Sequence, residues 1–232
     1  MKLYLSSYKI GDRKDELKKW IDEHGNKICL IPNSRDIYPD GERKTRGIQA
    51  DANELALLGF DVTIISLKDY FNKKEELLSR LKKFNAFYLI GGNTFVLRQA
   101  MYLSGFDKYL KTIENDPNYL YAGYSAGICV LANDMHGLEM CDNPNINVYG
   151  IDTMWNGLGY FDYIFLPHYK SNHKEAELID DCVEYCDKYN IKYKTLCDGE
   201  VIILDIWKYL IFGTLPKTPV PSDEFEKEEI EC

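Results

Sequence analysis

Apolar residues along this chain gather in short runs separated by longer, charge-rich stretches. The runs at 2–7, 27–32, 61–67, 86–90, 119–122 and 163–167 are rich in β-branched, aromatic and leucine residues. Near-continuous apolar runs of this length fit strands that are covered on both faces. The stretches between them have helical character. Asp12 to His24 is charged and precedes Gly25, a glycine suited to end a helix. Gln49 to Leu58 is closed by Gly59, and Lys73 to Phe84 is rich in Lys, Glu and Leu. Thr94 is placed to cap a helix carrying Phe95, Val96, Leu97 and Ala100. A further helix is expected from Ala126 through Leu131, and an amphipathic one over Glu175 to Tyr189. Residues 201–204 and 209–212 read as a terminal hairpin.

Strands alternating with helices predict an α/β fold, a mostly parallel sheet with helices on both faces. No internal repeat interrupts the pattern. Residues 1–216 read as a single α/β domain. Residues 217–232 carry two prolines and an acidic run, which reads as a solvated, mobile tail.

Composition narrows the function classes. With 232 residues the chain can bury a sizeable core without covalent staples. The formal net charge of −9 argues against a nucleic-acid partner, because phosphate binding needs a basic face. No apolar run is long enough to cross a membrane, and the N-terminus lacks a signal-peptide core. The seven cysteines form no Cys-x-x-Cys pair and no metal-spaced cluster with histidine. A reducing cytoplasm, no metal and no cofactor are the expectation.

The chemistry sits at strand ends. Gly123-Tyr124-Ser125-Ala126-Gly127 lies between an apolar strand and an apolar helix. In that setting a Gly-x-Ser-x-Gly turn exposes the serine oxygen above the carboxyl end of the strand. The pattern alone arises by chance in about one chain in twelve of this length, so its context carries the weight. Gly91-Gly92-Asn93-Thr94 follows another strand. If the two strand ends are neighbours, the Gly92 and Ala126 N–H groups can form an oxyanion hole. A plain glycine turn explains the same residues.

A serine nucleophile needs a base. Of the histidines at 24, 136, 168 and 173, His168 follows a strand and is best placed. His173 is its rival, and His24 reads as a helix-end residue. Asp198 and Glu200, either side of Gly199, are the candidates to orient the base, although Asp-Gly is equally a turn signal.

These segments, Ile-Gly-Gly-Asn-Thr-Phe at 90–95, Gly-Tyr-Ser-Ala-Gly at 123–127, Pro167-His168-Tyr169 and Asp198-Gly199, resemble in order and spacing the peptidase E family. That family contains the aspartyl dipeptidases and, more distantly, the cyanophycinases. The resemblance spans residues 1–213. It implies a flavodoxin-like fold related to class I glutamine amidotransferases and a triad in the order Ser, His, acid. It implies Ser125, His168 and Asp198 in those roles, with Glu200 as the alternative acid. It also implies oxyanion donors at Gly92 and Ala126, substrate contacts at Asn93, and Asp134 for the substrate's α-ammonium group.

Three positions depart from the aspartyl dipeptidase pattern: Ile90 for a glycine, Tyr124 for a tryptophan, and Asp198 for a glutamate. The function implied is hydrolysis of short peptides, including dipeptides with N-terminal Asp, by a monomer or homodimer. An esterase or other acyl hydrolase, and an idle small-ligand-binding protein of the same fold, fit the same residues.

Overall fold

The computed structural model describes residues 1–206, so the second strand of the expected hairpin and the acidic tail lie outside the described residues. The described residues form eight strands: β1 Lys2–Ser6, β2 Lys27–Ile31, β3 Asp61–Ile64, β4 Ala86–Leu89, β5 Leu120–Tyr124, β6 Ile164–Leu166, β7 Tyr193–Thr195 and β8 Val201–Asp205. Six of them form one sheet in the order β3-β2-β4-β5-β1-β8. All pairings among the first five are parallel, and β8 closes one edge antiparallel to β1. β6 and β7 form a separate parallel pair.

The alternation of side chains explains the unbroken apolar runs. Tyr4, Ile28, Leu30, Tyr88 and Ala122 point to one face, where they meet Trp20 of α1 (Lys14–His24) and Leu55 of α2 (Glu42–Leu58). Leu3, Leu5, Ile31, Phe87, Leu89 and Tyr121 point to the other. There they share one core with helices α3 (Lys74–Leu81), α4 (Thr94–Ser104), α5 (Phe106–Ile113) and α6 (Ala126–Cys129), and with α7 (Ala176–Tyr189), which packs on β6. Each fully buried Leu or Phe of this kind contributes about 1.5–3 kcal/mol. No helix among the described residues is long and apolar enough to cross a membrane.

Several boundaries differ from the expectation, each for a physical reason. α2 starts at Glu42, not near 49, because its first turns are polar and part-exposed and carry no apolar period. α5 is a separate helix, set off from α4 where Gly105 turns the chain with φ +80°. α4 is capped by Asn93, whose Oδ1 accepts the Val96 N–H at 2.9 Å, so Thr94 is the first helical residue and not the cap. α6 spans only four residues. The chain then leaves the helix, and Val130 and Ala132 accept bonds from Leu158 and Gly159. β7 is the strand the sequence pattern did not single out; its residues are half-buried and mixed in character.

Register decides where the site forms. Ile31 is paired with Leu89, Leu89 with Gly123, and Ser6 with Tyr124. The residues that follow these four strands therefore sit side by side at the sheet's carboxyl edge. They are 33–35, 91–93, 125 and 7–9, in that spatial order. Ligands of open parallel sheets bind at this edge.

Candidate active site

Ser125 follows β5 with φ +50° and ψ −118°, a conformation rare for a residue with a Cβ. Such a residue costs about 1–3 kcal/mol and needs its surroundings to hold it. Close main-chain approach does so here. A Cβ on Gly127 would stand 2.3 Å from the Leu89 carbonyl oxygen, so only glycine lets α6 lie against the end of β4. The Ser125 carbonyl accepts the Ile128 and Cys129 N–H groups at 2.8 and 3.0 Å. The Ala126 N–H precedes these bonds, as the first amides of any helix do.

Gly91 and Gly92 line the same cavity as Ser125. Asn93 lines it too, but its side chain is committed: Oδ1 caps α4 and Nδ2 donates to the Asn143 carbonyl at 3.0 Å.

His168 follows β6, also at positive φ (+65°), and its side chain is buried. Its Nδ1 lies 2.7 Å from Asp198 Oδ1. A carboxylate can only accept, so Nδ1 carries the hydrogen and Nε2 is left as the basic nitrogen. Ser7, the residue after β1, ties this pair together. Its hydroxyl accepts the His168 backbone N–H at 2.8 Å and donates to Asp198 Oδ1 at 2.9 Å. Ser171 Oγ accepts the Asp198 N–H at 2.7 Å.

Burial pushes the His168 imidazole below its ordinary value. Asp198 pulls in the opposite direction, and charge on His173 pushes it further down. His173 is stacked on His168 with ring centres 3.8 Å apart, and Tyr8 meets both rings.

The other expected residues are placed as follows. The Glu200 carboxylate turns to the Cys197 N–H at 2.7 Å, and Asp198 is the carboxylate bonded to His168. The Asp198-Gly199 segment is also a turn, with Glu200 N–H donating to the Cys197 carbonyl at 3.0 Å. It joins strands of two different sheets and makes no hairpin. Asp134 is not brought to Ser125. It is exposed, bonds to His136, and lines a separate small cavity with Asn133 and Asp162. The carboxylates in the Ser125 cavity are Asp142 and Glu175. Burial raises Asp142 to about 6, against the opposing bonds it receives from Thr94.

His168, His173 and Glu175 are the group among the described residues whose ligand atoms fall within 4.8 Å of one another. The two imidazoles are nearly parallel, at 10°. Their in-plane lone pairs do not converge on one ion unless a ring turns, so the arrangement suits a base and its neighbour better than a metal centre.

Sequence reasoning missed Ser7, Tyr8 and Arg35. Each lies just beyond a strand, but which strands flank β5 is fixed by pairings that no local pattern encodes.

Comparison with known proteins gives the family. The model of Peptidase family S51 matches residues 5–205, and the chain belongs to that family. It is a serine-type peptidase. Among curated proteins it is similar to an uncharacterized peptidase of Listeria monocytogenes serovar 1/2a, 28% identical over 170 residues, covering 72% of this chain and 77% of that one. A second, from Listeria innocua serovar 6a, is 27% identical over 147 residues, covering 63% and 66%. Among solved structures, a candidate peptidase E from Listeria monocytogenes EGD-e superposes with a TM-score of 0.71 at 23% identity, covering 88% and 93%. A peptidase from an acI-B1 Actinobacterium gives 0.59 at 16%, covering 88% and 82%. Both share the fold.

Proposed function

We propose that this peptidase cleaves short peptides through Ser125, His168 and Asp198 and an acyl-enzyme. His168 Nε2 takes the Ser125 proton as Oγ attacks the scissile carbonyl carbon. Asp198 fixes the tautomer and stabilises the imidazolium that forms. The oxyanion is received by the Gly92 and Ala126 N–H groups. The tetrahedral species collapses, and the leaving amine departs with the proton from His168. Water, activated by the same nitrogen, then attacks the ester carbonyl and releases the acid, restoring Ser125.

The observation that carries the reading is the 2.7 Å His168–Asp198 bond beside a cavity that His168 shares with the strained Ser125. That cavity measures about 450 Å³, toward the small end of ligand pockets, which favours short substrates. Dipeptides, those with N-terminal Asp among them, are the substrates we infer. Their α-ammonium needs a carboxylate, and Glu175 or Asp142 lines the cavity where Asp134 does not.

The test is a mass-spectrometric screen of a mixed dipeptide and tripeptide library with wild type and Ser125→Ala in parallel. Wild type alone is expected to consume peptides, Asp-X among them. Equal turnover by Ser125→Ala would end the serine mechanism. Consumption of esters but no peptide would replace the substrate class.

A further inference from the structure

The Gly91–Gly92 peptide is gripped from behind. Its carbonyl oxygen accepts from Arg35 Nε at 3.2 Å and from Ser34 Oγ at 3.0 Å, a hydroxyl shared with the Ile90 carbonyl at 2.8 Å. The Ser34 carbonyl takes the Asn93 N–H at 2.8 Å. Gly92 is thus pressed onto the 34–35 turn, where a Cβ would stand 2.4 Å from the Ser34 oxygen. In a planar trans peptide the C=O and N–H point in opposite directions. A Gly91 carbonyl fixed toward Arg35 therefore fixes the Gly92 N–H away from it, and both glycines border the Ser125 cavity.

The same guanidinium reaches the nucleophile's strand. Arg35 Nη2 donates to the Tyr124 hydroxyl at 2.8 Å and pairs with Asp51 Oδ2 at 2.7 Å. The Tyr124 hydroxyl donates to Asp51 Oδ1 at 3.1 Å. Asp51 is 1% exposed, and Lys9 also pairs with it. A tryptophan at 124 would offer only a donor and could not accept from Arg35. One half-buried, charge-anchored group thus ties the Gly91 carbonyl, after β4, to the residue preceding Ser125, after β5.

We propose that Arg35, anchored by Asp51 and Tyr124, is a positioning residue that orients and polarises the Gly91–Gly92 peptide as an oxyanion donor. The proposal rests on the Ser125 mechanism above. Arg35 makes no contact with substrate in this role. It acts by removing freedom from the peptide before charge develops and by drawing electron density toward the carbonyl. Its effect belongs to the transition state and not to ground-state binding.

The test compares wild type, Arg35→Lys, Arg35→Ala and Tyr124→Phe. The readouts are the rate of fluorophosphonate labelling at Ser125, located by peptide mass spectrometry, and kcat and KM on a cleaved peptide. Lysine keeps the charge but cannot hold both strand ends as a planar fork does. Losing a whole oxyanion donor typically costs about 10²–10³ in kcat, so loosening one is expected to cost about 10–10² in kcat and in labelling rate, with KM within about threefold. Tyr124→Phe should lose about threefold to tenfold, since Arg35 keeps Asp51. Added ethylguanidinium should restore part of the labelling rate of Arg35→Ala, which a purely structural loss would not allow.

Labelling and kcat of Arg35→Lys within twofold of wild type, or a loss confined to KM, would overturn the proposal and leave the serine mechanism standing. If wild type is not labelled at Ser125, the mechanism fails and the proposal with it. Should Arg35→Lys lose its fold by circular dichroism, Tyr124→Phe and the ethylguanidinium arm decide.

Discussion

Ser125 and His168 invite comparison. Both follow a strand, both line one cavity, and both hold a positive φ that a side chain disfavours. They are held in opposite ways. Around Ser125 the constraint is steric: the Leu89 carbonyl and the main chain of α6 meet where only glycine fits. Around His168 the constraint is polar: Ser7, Asp198 and Ser171 form a chain of hydrogen bonds on the flank of the small β6–β7 pair. Steric constraints fail by unfolding, because packed backbone has nowhere to go. Polar ones fail by losing function, because a mispaired group leaves the fold intact while spoiling the geometry of the proposed base.

Asp198→Asn should break the polar side with the largest effect. It keeps the shape but no longer holds Nδ1–H reliably, and kcat is expected to fall by about 10³–10⁴. The thermal midpoint should stay within a few degrees of wild type. Kinetics and thermal denaturation on one preparation check both. The same loss from Glu200→Gln, with Asp198→Asn active, would transfer the orienting role to Glu200.

Gly127→Ala should break the steric side. A methyl 2.3 Å from the Leu89 oxygen forces backbone apart, with a cost of about 3 kcal/mol or more. For a domain of this size that is a fall in midpoint of about 6–12 °C. A midpoint unchanged by calorimetry would mean that α6 is not held as described. Ser7→Ala should fall between the two classes. It orphans the buried His168 N–H, costing about 1–3 kcal/mol of stability, and removes one of the two bonds to Asp198 Oδ1. Equal activity and midpoint in Ser7→Ala would remove Ser7 from the network.

The same contrast explains what the sequence makes legible. Steric sites leave glycines in fixed register with strands, so the Ser125 turn and the Gly91–Gly92 turn can be read from local pattern. The strands themselves are legible because both faces are covered, leaving unbroken apolar runs. Polar sites leave no such mark. Ser7 is one serine among several, and nothing local reveals that it meets residues 168 and 198. Asp134 shows the reverse failure: a carboxylate near the elbow in sequence is carried away by the early end of α6. Arg35 and Tyr8 become site residues only once β2 and β1 are known to flank β4 and β5.

The smallest effect sharpens the polar side further. The proposed base works only when neutral, so activity is lost as pH falls through its pKa. Burial lowers that pKa, and the acid limb of kcat/KM for the free enzyme is therefore expected below the ordinary histidine value of 6.5. The neighbours pull in known directions. Charge on His173 lowers the pKa, so His173→Phe, which keeps a stacked ring without charge, should move the limb to higher pH. Glu175 raises it, so Glu175→Gln should move the limb to lower pH. Each shift is expected to be under about one pH unit, as for single partly exposed charges. Limbs that moved together, or not at all, would show that these groups do not sense the nitrogen that titrates.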